Sequence, residues 1–233
     1  MRSVHALLAA VLLPPLLAAA QPAVQKPSID PSVYARLPWR TIGPEGNRFT
    51  SAAGIPGDPL TYYVGAASGG VWKTTDGGVN WRSLFDAQPV QSIGALAVSR
   101  SDPNTIWAGT GEAHIRSHIS VGMGVYKSTD AGRSWSLMGL EKTGRIARVA
   151  IHPQDPNTVL VCALGHAYGP QAERGVYRTT DGGVTWARVL HVDEHTGCSD
   201  LAMDPRNPRI LFAGMWQLEI HTWGRTSGGP GSG

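Results

Sequence analysis

An eight-residue pattern occurs three times in this chain. It reads Thr74-Thr75-Asp76-Gly77-Gly78-Val79-Asn80-Trp81, then Ser128-Thr129-Asp130-Ala131-Gly132-Arg133-Ser134-Trp135, then Thr179-Thr180-Asp181-Gly182-Gly183-Val184-Thr185-Trp186. Each copy follows a short apolar run: Gly70-Val71-Trp72-Lys73, Gly124-Val125-Tyr126-Lys127 and Gly175-Val176-Tyr177-Arg178. The aspartates stand 54 and 51 residues apart, at 76, 130 and 181. A period of that length is the mark of a repeat architecture, in which each unit buries its apolar face only against its neighbours.

Asp before Gly between two apolar runs is turn chemistry. The carboxylate can accept backbone N–H groups one or two residues on, and glycine supplies positive φ without a steric penalty. Asp76, Gly78, Trp81, Asp130, Gly132, Trp135, Asp181, Gly183 and Trp186 are therefore read as structural, each Trp opening the returning strand and packing over its turn. One carboxylate per turn falls short of the 6–8 oxygen ligands that calcium takes.

A second signature precedes each copy: Pro56-Gly57-Asp58-Pro59, Asp102-Pro103-Asn104, Pro153-Gln154-Asp155-Pro156-Asn157 and Pro205-Arg206-Asn207-Pro208. Small apolar runs flank each one. A unit is then strand A, an Asp-Pro turn, strand B, a variable loop, strand C, the Asp-Gly turn, and strand D. Four antiparallel strands per roughly 50 residues is a propeller blade. The fold expected is an all-β propeller segment of about three complete blades and a partial fourth; an all-β solenoid is the alternative. Strand A begins four times and the Asp turn occurs three times, so residues 227–233 read as the loop before a missing strand C. The chain is expected to be the N-terminal part of a longer protein.

The 233 residues include 29 Gly and 17 Pro and carry a net charge of +3. Without a basic cluster, nucleic acid is not an expected partner. Arg2, the apolar stretch from Ala6 to Ala20 and the small residues Ala18-Ala19-Ala20 read as a secretory signal over residues 1–20. The stretch is too short for a stable membrane span once cleaved. Residues 21–38 are a loose lead-in and residues 39–233 the partial propeller. Export to a periplasm or beyond permits a disulfide. Cys162 and Cys198 nevertheless lie in different repeats and lack the C-x-x-C spacing of a metal or redox pair, so they read as buried free thiols.

These motifs resemble the Asp-box, or BNR repeat, of sialidase-like propellers. The stretch from Trp39 is similar to bacterial exported proteins with sortilin-type N-terminal repeats, often labelled BNR-repeat glycosyl hydrolases. The residues that carry the likeness are Trp39 to Pro44, Gly69 to Gly78, Gly109 to Ala113, Ala163 to His166 and Gly228 to Gly233. The resemblance is specific for fold and not for activity, since such repeats serve hydrolases, peptide receptors and assembly factors alike. Family members are much longer, which agrees with a fragment.

Strand alternation puts the A–B and C–D turns on one face. The B–C loops and D-to-A crossings fall on the other, where binding residues are expected. The second loop holds Glu112, His114, Arg116 and His118. The third holds His166, Tyr168, Glu173 and Arg174, and the fourth Trp216, Glu219, His221, Trp223 and Arg225. Asp86, Glu141, Asp193, Glu194 and His195 lie in the crossings. Counting back from each A–B turn places Arg48, Ser92, Arg145 and Gly197 at the strand-A entrances. Arg48 and Arg145 could meet a ligand carboxylate at the channel mouth, as sialidase arginines do, or pair with acids such as Glu45 or Glu141. Glu112 and Glu173 are the candidate carboxylates for glycoside hydrolysis. Trp216 and Trp223 would line an apolar groove. The His residues make only a weak metal pattern, and no metal or cofactor is expected. The reading is a propeller that binds protein, peptide or glycan through this loop face, with the remaining blades of a longer chain as partners. A fragment of a sialidase-like or xyloglucanase-like hydrolase is the alternative.

Overall fold

The computed structural model describes residues 30, 32–33, 43–44 and 48–233 except 117. The chain divides into residues 1–41 and 42–233. In the first unit the Ser32 N–H donates to the Asp30 carboxylate at 2.9 Å. The expected signal peptide, nearly all of the lead-in, and Glu45 lie outside the described residues.

The second unit is built of four antiparallel sheets in sequence order. Blade 1 is β1 (Phe49–Ile55), β2 (Asp58–Ala66), β3 (Val71–Thr74) and β4 (Arg82–Ser83). Blade 2 is β5 (Ile93–Val98), β6 (Ile106–Thr110), β7 (Val125–Ser128) and β8 (Ser136–Leu137). Blade 3 is β9 (Ile146–His152), β10 (Asp155–Ala163), β11 (Gly175–Thr179) and β12 (Ala187–Leu190). Blade 4 has three strands, β13 (Thr196–Met203), β14 (Leu211–His221) and β15 (Gly224–Ser227). Neighbours in sequence are neighbours in each sheet, and the first strands β1, β5, β9 and β13 lie successively against one another. This is a β-propeller segment. A single turn of 3-10 helix, Glu141–Thr143, sits between blades 2 and 3.

The apolar residues bury between blades. Tyr63, Val71 and Phe85 of blade 1 pack on Ile93, Leu96, Ile106 and Tyr126 of blade 2. Trp107 and Val125 meet Ile146, Val149, Val159 and Val161. Leu160, Cys162 and Val176 meet Cys198, Leu201 and Met215. The inner strands approach closely enough that a Cβ on Gly94 would run into the carbonyl oxygens of Gly111 and Ile146. Small residues on strand A are thus a packing requirement.

The Asp turns close by one pattern in three copies. A buried hydroxyl, from Thr74, Ser128 or Thr179, bonds the Asp Oδ1 at 2.7–2.8 Å. That hydroxyl also accepts the N–H of Gly78, Gly132 or Gly183 at 2.8–2.9 Å. The carboxylate accepts the N–H four residues on, from Asn80, Ser134 or Thr185, at 2.9–3.0 Å. Its reach is therefore longer than the one or two residues expected of a simple Asx-turn. Asp76 is held down to about 2, chiefly by the Asn80 backbone N–H. Asp130 is held down to about 2 by the Ser134 hydroxyl first. The Thr185 hydroxyl holds Asp181 well below the usual carboxylate range.

Each Asp turn leans on the A–B turn of its own blade. Gly77 donates to Leu60 O, Ala131 to Asn104 O and Gly182 to Asn157 O, all at 2.9–3.0 Å. Both turn types therefore share one face, as strand alternation requires.

Two expectations are corrected. Cys162 and Cys198 form a disulfide, with Cα atoms 5.0 Å apart. Cys162 on β10 and Cys198 on β13 bury in the same interblade core, so their separation by 36 residues brings them face to face. The fourth B–C segment is a β-hairpin, with β15 pairing Leu218↔Ser227 through His221↔Gly224. Residues 227–233 are thus partly strand, although Gly233 does pair with Met215 by reciprocal backbone bonds of 2.7 and 3.1 Å.

Candidate functional site

The loop face is assembled by backbone contacts between blades and crossings. Gly69 and Gly70 donate to Gln91 O, Gly111 to Ser92 O, Leu164 to Arg145 O and Gln171 to Glu194 O. Ala67 donates to Arg48 O. The counted register of strand entrances therefore has a backbone counterpart at Arg48, Ser92 and Arg145. Beneath the loops lies a satellite core of Ile119, Leu164, Ala167 and Leu218, flanked by Ile115, Trp216 and Ile220. It joins blades 2, 3 and 4 under one surface.

Three charged side chains are sunk into this platform. Glu112 is 1% exposed. It accepts from Arg48 Nη2 at 3.0 Å and from Arg116 Nε at 3.1 Å and Nη2 at 3.3 Å. Charge-assisted pairs of this kind are strong and directional. Glu112 is thus enclosed by two guanidiniums, and Arg48 finds its acid there. Arg145 is fully buried and donates to Gly165 O at 3.4 Å and Ile119 O at 3.3 Å, with its guanidinium 5.8 Å from the Tyr168 ring centre. Fully buried, it does not face a ligand as expected: Nη1 and Nη2 donate to loop carbonyls of blades 2 and 3, and its Nε is left without a partner. Arg174 does the same further round. Nη1 donates to His195 O at 2.6 Å and Leu218 O at 3.1 Å, and Nη2 to His166 O at 2.5 Å and Gly169 O at 3.0 Å. Burial, then the Arg145 charge, lowers the pKa of His166.

The other candidates spread over this face. His114 borders a cleft of about 210 Å3 between the inner strands, with Thr50, Ser51, Arg148, Ser199 and Asp200. Arg148 Nε pairs with Asp200 across it at 2.7 Å. A second cleft of about 290 Å3 is bordered by Arg116, Ile220, His221, Gly224 and Arg225. Trp216 and Trp223 do not share a groove. Trp216 packs on the satellite core, while Trp223 stands at the tip of the β14–β15 hairpin, stacked on His221 at 5.0 Å. Glu173 is half-buried and its carbonyl accepts the Tyr177 hydroxyl at 3.0 Å. Among the described residues no group of three or more His, Cys, Asp or Glu side chains could hold a metal ion.

Sequence reasoning passed over Gln171. Its side chain bridges the Lys142 carbonyl and the His166 N–H, tying the third loop to the blade 2–3 crossing. An uncharged residue in a polar loop carries no signal of such a role.

No family model matches the chain. A probable oligoxyloglucan-reducing end-specific xyloglucanase from Neosartorya fischeri is 30% identical over 204 residues, covering 79% of this chain and 22% of that protein. The chain thus spans about a fifth of the length of that relative. A vacuolar protein sorting/targeting protein 10 from Sordaria macrospora is 29% identical over 120 residues, covering 49% of this chain and 7% of that protein. Among solved structures, an ancestral GH74 enzyme superposes with a TM-score of 0.59 at 23% identity, over 77% of this chain and 23% of that one. YCF48 bound to D1 peptide gives 0.52 at 15% identity, over 84% and 57%. The two structural likenesses agree with the β-propeller fold. Among the described residues no helix is long and apolar enough to cross a membrane.

Proposed function

We propose that the chain is part of an exported Asp-box propeller that binds a peptide, protein or glycan ligand on its B–C loop face. Residues 1–20 serve as signal, 21–38 as lead-in and 39–233 as propeller. The observation that carries this reading is the enclosure of Glu112. A carboxylate with 1% exposure, gripped by Arg48 and Arg116, is built to fix loops and is closed off from a substrate. With it, Arg145 and Arg174 turn three loops into a rigid platform, and rigid platforms lose little freedom on binding. The Cys162–Cys198 disulfide suits an oxidising compartment. YCF48, a fold neighbour, is bound to D1 peptide, and a loop face can serve either ligand class.

Similarity to a xyloglucanase supports a second reading, a glycoside hydrolase fragment. Incubation of the chain with aryl β-glycosides separates the two. The expected result is no aryl release, while titration with xyloglucan oligosaccharides or a peptide library changes tryptophan fluorescence. Turnover that disappears in Glu112→Gln or Glu173→Gln would establish the hydrolase instead.

A further inference from the structure

The outer strand of blade 3 differs from its counterparts. In blades 1 and 2 the last strand is two residues long, Arg82–Ser83 and Ser136–Leu137, whereas β12 runs over four, Ala187–Leu190. Every residue of β12 is exposed. Val189 is 49% exposed and Leu190 39%, and Val192, two residues on, is 45% exposed. Among the described residues β12 pairs with β11 alone, so its other edge is open. Soluble proteins keep edge strands short or charged, because an open apolar edge is a template for another strand. The blade scaffold does not call for this edge, since blades 1 and 2 close with shorter outer strands.

The sequence along the edge is complementary to itself. Arg188, Leu190, Val192 and Glu194 occupy alternate positions, in the order cation, apolar, apolar, anion. Laid antiparallel to a second copy, that order sets cation against anion at both ends and apolar against apolar between them. Arg188 and Glu194 are exposed, and neither has an ion-pair partner among the described residues. Arg188 gives Nη1 to the Ala172 carbonyl, and Glu194 is held by its own carbonyl, which accepts the Gln171 N–H at 2.8 Å. Asp193, between the two, spends its carboxylate on the His195 N–H and the Thr196 side chain. The charges of Arg188 and Glu194 are therefore not neutralised within the chain.

We propose that β12 is a self-association edge, pairing antiparallel with β12 of a second copy of this chain. The two-fold axis passes at His191. Leu190 of each copy then meets Val192 of the other, and Arg188 of each meets Glu194 of the other. The contact is isologous, the commonest form of homodimer. Main-chain bonds join two four-stranded blades into one sheet, and the side-chain order fixes the register. A single strand edge buries little area, so the dimer belongs to the weak, transient class. The surface lies on the outer rim of the propeller and does not depend on what the loop face binds.

The test is sedimentation velocity of the chain across about 1 μM to 1 mM. A dimer that grows with concentration is expected. Arg188→Glu and Glu194→Lys should each weaken it by at least about tenfold, because each sets like charges opposite one another at both ends. An equimolar mixture of these two variants should dimerise again, since both ends of the mixed pair then carry opposite charges. Val192→Lys should weaken the dimer in every mixture. All three side chains are exposed, so far-UV circular dichroism should be unchanged. A chain that stays monomeric throughout overturns the proposal. A dimer that all three substitutions leave intact is made by another surface and overturns it equally. Loss in both charge variants without recovery in their mixture rejects the antiparallel pairing, and the proposal with it.

Discussion

Asp76, Asp130 and Asp181 are the most repeated residues of the chain, and each belongs to the scaffold. Their carboxylates gather N–H and hydroxyl donors within five residues, on the face away from the loops. Replacing Asp130 with Ala strands the Ser134 N–H and hydroxyl, both with access to water, so the loss is modest. The expected change is a drop of about 2–4 °C in melting temperature, with ligand titrations on the loop face unaltered. The pH dependence follows from the sign of the shifts. Folded values near 2 lie below the ordinary 3.8, so the folded state binds fewer protons than the unfolded one. The stabilisation is complete above about pH 4 and is lost as pH falls through 3.8 toward 2. Acid titration followed by circular dichroism should show that loss, and the Asp130→Ala variant should lose less across the same window.

At the scale of elements, the A-to-D strand order was legible because turn residues repeat locally. Asp and Gly declare a turn wherever they stand between apolar runs. The disulfide was not legible, because partner choice depends on how β10 of one blade faces β13 of the next. Spacing along the chain holds no record of that angle. The same reason hid the fate of Arg145: its register position is correct, yet whether a guanidinium meets solvent or the carbonyls of Ile119 and Gly165 depends on two loops from other blades. The fourth loop is a hairpin that the sequence conceals for another reason. Leu218, Ile220, Thr222 and Trp223 carry strand propensity, but His221-Thr222-Trp223-Gly224 lacks the usual Asn-Gly or Asp-Gly turn signal. The Cys162–Cys198 bond closes 36 residues between blades 3 and 4. Chain-entropy arguments assign such a loop about 2–4 kcal/mol. Reduction, or Cys162→Ala with Cys198→Ala, should lower the urea midpoint accordingly. An unchanged midpoint would mean that the interblade core of Leu160, Leu201 and Met215 holds the two blades alone.

For the whole molecule, stability resides between blades, and the tryptophans that close the Asp turns show how neighbours are joined. Trp135 Nε1 donates to Leu84 O of blade 1 at 3.0 Å, and its ring meets Phe85 edge-on at 5.1 Å. Trp186 Nε1 donates to Met138 O of blade 2 at 2.6 Å, and its ring meets Trp107 at 6.0 Å. Trp81 sits at the same point of the pattern, but its Nε1 donates to Gly78 O of its own turn at 3.1 Å. One sequence position thus clamps a blade to its predecessor in two cases, while Trp81, with no preceding blade beside it among the described residues, folds onto its own turn. Stability in such an array is a sum of unit and nearest-neighbour contributions. Trp186→Ala removes an aromatic pair, a hydrogen bond and the apolar cover over Trp107, and should cost about 3 kcal/mol. Trp81→Ala should cost less than half of that, about 1 kcal/mol, since only its own turn is affected. Urea unfolding of the two variants against the parent decides the point. Equal costs would mean that the indole serves its own turn in every blade and that the interblade bonds of Trp135 and Trp186 add nothing.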